Sequence, residues 1–513
     1  MSITSLSKIY SAELEGIDAK LIEIEIDINS GVHSFNIVGL PDKSLNEAKE
    51  RVNAALKNSG IKPPNRENRK ITVNLAPADL KKNGPHYDLG IAIGYLLATK
   101  QIKEFDARHK IFLGELALDG RVRPINGALN IAQMAVELGF YSLFLPEQNA
   151  NEAAAIEGIS VIPIHNLQEA IDILEEKKIV GPFRFQPIKK KLSQYPDISE
   201  IKGQEHAKRA LTIAASGGHN MIMIGPPGVG KSLMAQAFGG ILPDLERNEA
   251  IETTKIWSVA GLSPDGLMTS RPFRSPHQTS SQVALVGGGS DPKPGEISLA
   301  HRGVLFLDEI PEFQKSTIDA LRQPMESGII NITRSKQSIT LPAKFILIAA
   351  MNPCPCGYYG DPEHECRCTA REVIVYQKKI SGPFLDRIDL QVKVKKIALD
   401  ELRKNTGPMG ESRDIKERVV KTRRIQKERF EKMSTGRRIS TNADLTSRQI
   451  EQVANMDASA ENFLETIGKA YLSPRGYYRM LKVARTIADM EESKLVTADH
   501  LAEAFSYRIK EEF

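Results

Sequence analysis

The chain has 513 residues, with 69 Lys and Arg against 64 Asp and Glu for a formal net charge of +5, and 41% hydrophobic residues. That length accommodates about three domains at roughly 100 to 200 residues each, and so mild a charge permits a nucleic-acid partner without demanding one. The opening Met1-Ser-Ile-Thr-Ser-Leu-Ser-Lys8 lacks a secretory apolar core and no run approaches the roughly 18 apolar residues of a membrane helix, so the expectation is a soluble cytoplasmic protein with no membrane partner.

Residues 1–182 alternate strand-like and helix-like patterns. Leu21-Ile-Glu-Ile-Glu-Ile26 has the period of two of a half-buried strand, and Leu45, Ala48, Val52 and Leu56 recur at helical spacing. An α/β front domain is expected there. Pro182, Pro187, the run Lys189-Lys-Lys191 and Pro196 then mark a linker over 183–198. The segment with the richest chemistry spans 199–397, and the remainder, 398–513, is helical and charged.

The stretch Gly225-Pro226-Pro227-Gly228-Val229-Gly230-Lys231-Ser232 answers the G-x-x-x-x-G-K-[ST] phosphate loop at every required position. An apolar strand, Met221-Ile-Met-Ile224, runs in, and Leu233-Met-Ala-Gln-Ala-Phe238 runs out with helical character. In that setting backbone N–H groups close around the phosphates of ATP at a helix N-terminus. Lys231 reaches the β and γ phosphates, and Ser232 offers its hydroxyl to Mg²⁺. Downstream, Val304-Leu-Phe-Leu-Asp308-Glu309 reads as a buried parallel strand ending in two carboxylates. Asp308 can hold the Mg²⁺ shell with Ser232, and Glu309 can orient and deprotonate an attacking water. A protein that only binds nucleotide has no need of the second acid. A third apolar strand, Lys344-Phe-Ile-Leu-Ile-Ala-Ala-Met-Asn352, ends in an amide.

All four cysteines lie together, as Cys354-Pro-Cys356 and Cys366-Arg-Cys368. Two such pairs can supply four thiolates to a tetrahedral structural Zn²⁺, with His364 as a substitute ligand; free thiols or a redox site are the alternatives. Disulfides are disfavoured in a reducing compartment. Ile332-Thr-Arg-Ser-Lys-Gln-Ser-Ile-Thr340 reads as a hairpin with Ser335 and Lys336 at its tip, and the insert from Trp257 to Gly295 carries Arg271, Arg274 and His277. The basic run from Arg413 to Arg438 is read as a solvated helix face. In Leu472-Ser-Pro-Arg-Gly-Tyr-Tyr-Arg479, Ser473 can cap a helix with Pro474 at its first position, which places Arg475 in the first turn and Arg479 one turn later.

Several long motifs resemble one family. Arg271-Pro-Phe-Arg-Ser-Pro-His-Gln-Thr279, Gly287-Gly-Gly289, Pro294-Gly-Glu-Ile-Ser-Leu-Ala-His301 and Asn352-Pro-Cys-Pro-Cys-Gly357 are similar to the Mg-chelatase-like AAA+ ATPases of the ComM/YifB type. The resemblance covers nearly the whole chain. It implies a ring-forming motor, a homo-oligomer and by expectation a hexamer, with a helix-2-insert AAA+ core over 199–397 and a C-terminal helical lid. It makes Asn352 the sensor 1 residue, Arg387 the arginine finger aimed at a neighbour's ATP, and Arg475 the sensor 2 residue, with Arg479 as its alternative. It sends the hairpin toward the pore, where Arg334 and Lys336 would contact DNA phosphates without sequence preference. The front domain resembles the Lon protease proteolytic domain, but His86 stands where Lon carries its serine and Leu129 where it carries the activating lysine, so no peptidase is expected. The family is associated with DNA branch migration during natural transformation. The expected activity is accordingly an ATP-driven DNA helicase or translocase in recombination. A chelatase-like motor remodelling a protein partner and an ATP-dependent protease are the other two classes.

Overall fold

A computed structural model of the chain describes residues 5–66, 68–187, 195–289, 292–333, 338–361, 363–397, 410–433, 439–471 and 473–508. Two compact units emerge. Residues 5–187 fall in the first together with Glu246–Thr269, and most of the remainder falls in the second.

Among the described residues the front unit has the strands β1 (Ser5–Glu15), β2 (Asp18–Ser30), β3 (Ser34–Val38), β4 (Arg69–Ala76), β5 (Lys110–Phe112), β6 (Glu115–Leu116), β7 (Val122–Arg123), β8 (Ser142–Pro146) and β9 (Ser160–Ile164). Seven form one mixed sheet in the order β3-β4-β2-β1-β5-β8-β9, and β6 and β7 make a separate ribbon. The alternation seen at 21–26 is the inside and outside of β2, with Ile22, Ile24 and Ile26 fully buried. Against that face lies the helix Asp88–Ala98, apolar on nearly every side. It approaches closely because Gly90 and Gly94 have no side chain: a Cβ would stand 2.8 Å from Ile24 Cδ1 at Gly90 and 2.9 Å from Ile26 Cδ1 at Gly94. A second apolar cluster gathers Ala12, Ile111 and Leu143 with Ile131 and Ala135 of the helix Ala128–Glu137.

Two features of this unit differ from the sequence reading. The helix Arg247–Val259 and the turn after it, expected in the ATPase segment, group with the front unit. Arg247 donates to Ala155 O at 3.1 Å and Glu157 Oε1 at 2.8 Å, and Asn151 Nδ2 donates to Asp265 O at 3.0 Å. The chain also stays with this unit past the expected boundary at 182, because Phe183 donates its N–H to Val161 O at 2.8 Å and Gln186 donates to Asn151 Oδ1 at 2.7 Å. Such ties join residues far apart in sequence, which periodicity does not register.

The second unit contains β10 (Met221–Ile224), β11 (Phe273–Arg274), β12 (Gly287–Gly288), β13 (Lys293–Pro294), β14 (Val304–Leu307), β15 (Ile329–Thr333), the part of β16 (Ser338–Pro342) from Thr340 on, β17 (Ile346–Met351) and β18 (Leu390–Lys393). Five form an all-parallel sheet in the order β11-β14-β17-β10-β18. Parallel strands covered on both faces read as unbroken apolar runs, and every residue of β10 and β14 is buried. The C-terminal helices, including Glu411–Glu431, Ser447–Ala454 and Pro474–Met490, share the core of this sheet. Val419, Ile450 and Leu481 belong to one cluster with Met221, Phe238 and Leu390. β15 and β16 pair as the expected hairpin, with Thr340 Oγ1 donating to Asn331 Oδ1 at 2.9 Å.

Candidate functional site

The parallel sheet brings three polar strand ends side by side. β17 lies between β14 and β10, so Asn352 leaves the sheet between the acid pair and the glycine loop. Ligands of open α/β sheets bind beyond the carboxyl ends of such strands. Gly225 donates its N–H to Met351 O at 3.2 Å, and a Cβ there would stand 2.2 Å from Val394 O, so only glycine fits where the loop leaves β10. Gly230, at φ +87°, turns the chain into the helix Lys231–Ile241. That helix aims free N–H groups and the positive end of its dipole at the loop.

Lys231 is 9% exposed, and its ammonium donates to Gly225 O at 2.6 Å, Pro226 O at 2.8 Å and Asn352 Oδ1 at 3.1 Å. All three partners are uncharged. Burial pushes its pKa down to about 8, with Asp308 and Glu309 pulling it back up. Ser232 Oγ donates to Asp308 Oδ2 at 2.7 Å, the pairing expected of two groups that share one cation shell. Glu309 is exposed and sits at φ +47°, ψ +49°, a left-handed conformation that costs a residue with a side chain about 1–3 kcal/mol. Its N–H donates to Asp308 Oδ1 at 3.0 Å. The set fits a triphosphate with Mg²⁺: a cation for the phosphates, a hydroxyl and a carboxylate for the metal, and a second carboxylate and an amide for water.

The cysteines follow directly on Asn352. The four Sγ atoms lie within 4.8 Å of one another. Cys354 and Cys356 are 3.4 Å apart, Cys354 and Cys366 3.7 Å, and Cys356 and Cys366 3.6 Å. Four sulfurs each about 2.3 Å from one ion would be separated by about 3.8 Å, so the donor set fits a tetrahedral metal. Tyr359 donates its N–H to Cys354 Sγ at 3.3 Å, an outer contact of the kind that steadies thiolate ligands. The Tyr358 N–H leads the effects that hold the Cys356 thiol down to about 6. His364, the substitute ligand, makes an edge contact with Tyr358. The cysteine segment also lies against the glycine loop: a Cβ on Gly357, at φ +88°, would stand 2.7 Å from Pro227 Cδ. Gln377 fixes the segment by donating to Pro353 O at 2.9 Å. Gly357 stood in its motif without a role of its own, and Gln377 was not singled out. The glycine was visible in Cys-Pro-Cys-Gly, but nothing in the sequence pointed to Pro227 as its neighbour.

Arg387 is 9% exposed, and its guanidinium pairs with Glu326 Oε1 at 2.5 Å and donates to Pro383 O at 2.5 Å. Glu326 was not anticipated. Arg475 lies in the first turn of Pro474–Met490, whose cap is the predicted one, with Ser473 accepting the Gly476 N–H. It also faces Glu326 Oε1, at 3.7 Å. Arg479 is spent elsewhere, donating to Asp389 Oδ1 at 2.7 Å, while His219 lies 3.3 Å from the other oxygen. Against its burial, Arg479 and His219 hold the Asp389 carboxyl well below the usual range. Arg334 and Lys336 lie outside the described residues. In the insert, Arg271 donates to Pro243 O and Arg302 O, both at 2.7 Å, and Arg274 grips Glu296 at 2.6 and 2.7 Å, so these arginines tie the fold together. In the basic run, Arg413 and Arg424 make exposed i,i+4 pairs with Glu417 and Glu428.

In the front unit His86 and Leu129, the two positions compared with the Lon dyad, form no catalytic pair. Leu129 is fully buried, and His86, for which no partner was expected, has its Nε2 2.9 Å from Ala12 O. Burial lowers the His86 pKa to about 4 against that carbonyl, leaving the ring neutral near pH 7.

Three family models match the chain. Magnesium chelatase, subunit ChlI, matches residues 197–402; subunit ChlI of Mg-chelatase matches 24–149; and the ChlI C-terminal model matches 410–508. Competence protein ComM of Haemophilus influenzae is 42% identical over 98% of this chain and 97% of its own length. The uncharacterized protein YifB of Escherichia coli is likewise 42% identical, over 98% of this chain and 97% of its own. The magnesium-chelatase 38 kDa subunit of Rhodobacter capsulatus is 29% identical over 30% of this chain and 49% of its own. Since a chelatase-named model reaches into the front unit, that unit by itself does not set the chain apart from chelatases; the full-length similarity does. No described helix is long and apolar enough to cross a membrane. With both full-length relatives carrying it along nearly their whole length, the chain belongs to the ComM/YifB-type Mg-chelatase-like proteins.

Proposed function

We propose that the chain is an ATP-driven, ring-forming DNA motor, a helicase or branch-migration translocase that acts in DNA recombination during natural transformation. The observation that carries the ATPase part is the pairing of Lys231 with Asn352 at 3.1 Å and of Ser232 with Asp308 at 2.7 Å at adjacent strand ends. Gly225 to Ser232 cradle the triphosphate of ATP, and Ser232 and Asp308 hold Mg²⁺, which neutralises charge on the phosphates. Glu309 takes the proton of the attacking water, and Asn352 orients that water or the γ phosphate. Arg387 completes the site of a neighbouring subunit, which requires an oligomer, by expectation a hexamer. Arg475 is the sensor 2 residue in this reading, because Arg479 is committed to the buried Asp389. Cys354, Cys356, Cys366 and Cys368 hold a structural Zn²⁺ that closes the knuckle behind Asn352.

The DNA part rests on the relative named as a competence protein and on the hairpin of β15 and β16, whose Arg334 and Lys336 would meet phosphates. The front unit is read as a degenerate Lon-like scaffold, the helices after 398 as the lid, and the setting as the cytoplasm. Steady-state ATPase with and without single-stranded and branched DNA tests the reading. Stimulated turnover with measurable binding supports it. Absence of both with either DNA sinks it and leaves a chelatase-like motor that remodels a protein partner, the alternative suggested by three family models named for a magnesium chelatase subunit. An ATP-dependent protease is the weakest of the three, since neither dyad position holds a nucleophile or its base.

A further inference from the structure

Glu326 stands in the last turn of the helix Arg322–Ser327 with its side chain 49% exposed, yet it is the only carboxylate that an ion pair gives to Arg387 among the described residues. The arrangement around it is unbalanced. Arg387 and Arg475 approach the same oxygen, Oε1, at 2.5 and 3.7 Å. Burial lowers the Arg387 pKa, Glu326 raises it, and Arg475, Arg322 and Arg479 lower it again; Arg322 and Arg479 have Asp319 and Asp389 of their own, at 3.2 and 2.7 Å, so Arg387 and Arg475 are the two cations that share Glu326. Arg387 Nε is buried with no hydrogen-bond partner. A single carboxylate leaves such a donor set under-satisfied, and an anion of higher charge with several oxygens would satisfy it better.

The geometry points to Glu326 as an internal stand-in for phosphate: it occupies the arginine pair in the isolated subunit and must be displaced by the neighbouring subunit's nucleotide before Arg387 can act. This rests on the reading of Arg387 as an arginine that works across subunits. Three observations favour exchange over a fixed structural pair. The carboxylate is half exposed, the second arginine that shares it has a side chain 60% exposed, and the buried end of Arg387 is anchored separately by Pro383 O. The guanidinium can therefore change its anion without leaving its seat. Competition of this kind lowers apparent affinity by the fraction of arginine already occupied, so the carboxylate sets how much ATP is needed to engage the finger.

Steady-state ATPase of the full chain is the test. Glu326→Gln keeps the shape and removes the charge. The expected result is an ATP KM lowered about threefold to tenfold with kcat nearly unchanged and an unchanged melting temperature, reproduced by Glu326→Ala. Parental KM and kcat in both variants overturn the inference. A kcat collapse in Glu326→Gln that matches Arg387→Ala overturns it too, because the carboxylate would then be holding the arginine in its working position. The underlying reading has its own control. Lys231→Ala, with a disabled site and an intact arginine, is mixed with Arg387→Ala, with an intact site and no arginine. Recovery of hydrolysis supports action across subunits, and no recovery refutes that reading whatever Glu326→Gln does.

Discussion

The front unit and the nucleotide-site unit both bury charge, but they give it different partners. In the front unit the Asp88 carboxylate, fully buried, accepts from Arg51 at 2.6 and 3.0 Å and from the Leu116 N–H at 3.2 Å. Glu13 takes the Tyr87 hydroxyl and, at 2.8 Å, the Asn83 N–H. In these two arrangements each carboxylate meets a strong donor of the scaffold; Lys82, fully buried with its ammonium on Pro77 O, is the exception in this unit. In the nucleotide-site unit the Lys231 ammonium rests on three uncharged oxygens, Ser232 rests on Asp308, and Arg387 rests on a half-exposed carboxylate. A phosphate or a metal ion would replace each of those contacts with a stronger one. What separates chemistry from scaffold is thus the exchangeability of the partner. The closed network of Arg479, Asp389 and His219 shows the same criterion sorting residues within one unit.

The sharpest way to break the comparison is to remove one group of each kind. Glu309→Gln is expected to lower ATP turnover by roughly 10² to 10⁴ while nucleotide binding and the melting curve stay at parental values. Arg51→Met should do the reverse. It strands the buried Asp88 charge and is expected to cost the front unit about 3–5 kcal/mol, read as a lowered denaturation midpoint. Had Glu309→Gln melted early with its turnover intact, the exposed left-handed glutamate would be a fold element and the criterion would fail.

The parts of the site that were legible in the sequence are those whose cause is contiguous. An apolar run ending in Asp308-Glu309, another ending in Asn352 and a third ending in the glycine loop each announce a buried strand with a polar end. Parallel pairing then brings those ends together. The hairpin was legible because its arms alternate on either side of a polar tip. Glu326 was not, since only tertiary packing brings it to Arg387. The grouping of Glu246–Thr269 with the front unit was equally hidden: it depends on polar ties such as Arg247 to Glu157, to which hydrophobic periodicity is blind.

A middle-sized effect is expected where the knuckle meets the phosphate loop. Gly357→Ala places a Cβ 2.7 Å from Pro227 Cδ at a φ of +88°, a strain of about 1–3 kcal/mol that the loop must absorb. ATP affinity should fall about tenfold with metal content unchanged. Removing the zinc proposed at the cysteines with a chelator, with Mg²⁺ then restored, should weaken ATP binding in the same direction, and metal analysis before and after should account for one zinc per chain. If Gly357→Ala bound ATP as the parent does, the cysteine cluster would be a separate structural element with no hold on the loop.

The smallest expected effect is a fraction of a proton. Lys231 sits at a pKa of about 8 because burial outweighs the pull of Asp308 and Glu309. Phosphates brought against the ammonium favour its charged form and raise that value, so binding takes up a proton over the range between the free and bound pKa. Near pH 7 the lysine is already charged and uptake is small; near pH 8 it approaches about half a proton, and above that affinity falls by up to about tenfold per pH unit. The phosphates themselves, with a second ionisation near 6, are already deprotonated there and contribute little. Calorimetry of nucleotide binding at pH 8.5 in two buffers of different ionisation enthalpy measures the uptake directly. Lys231→Arg should abolish it, because a guanidinium stays protonated throughout. Equal uptake in parent and variant would place the titrating group elsewhere and show that Lys231 stays charged across that range.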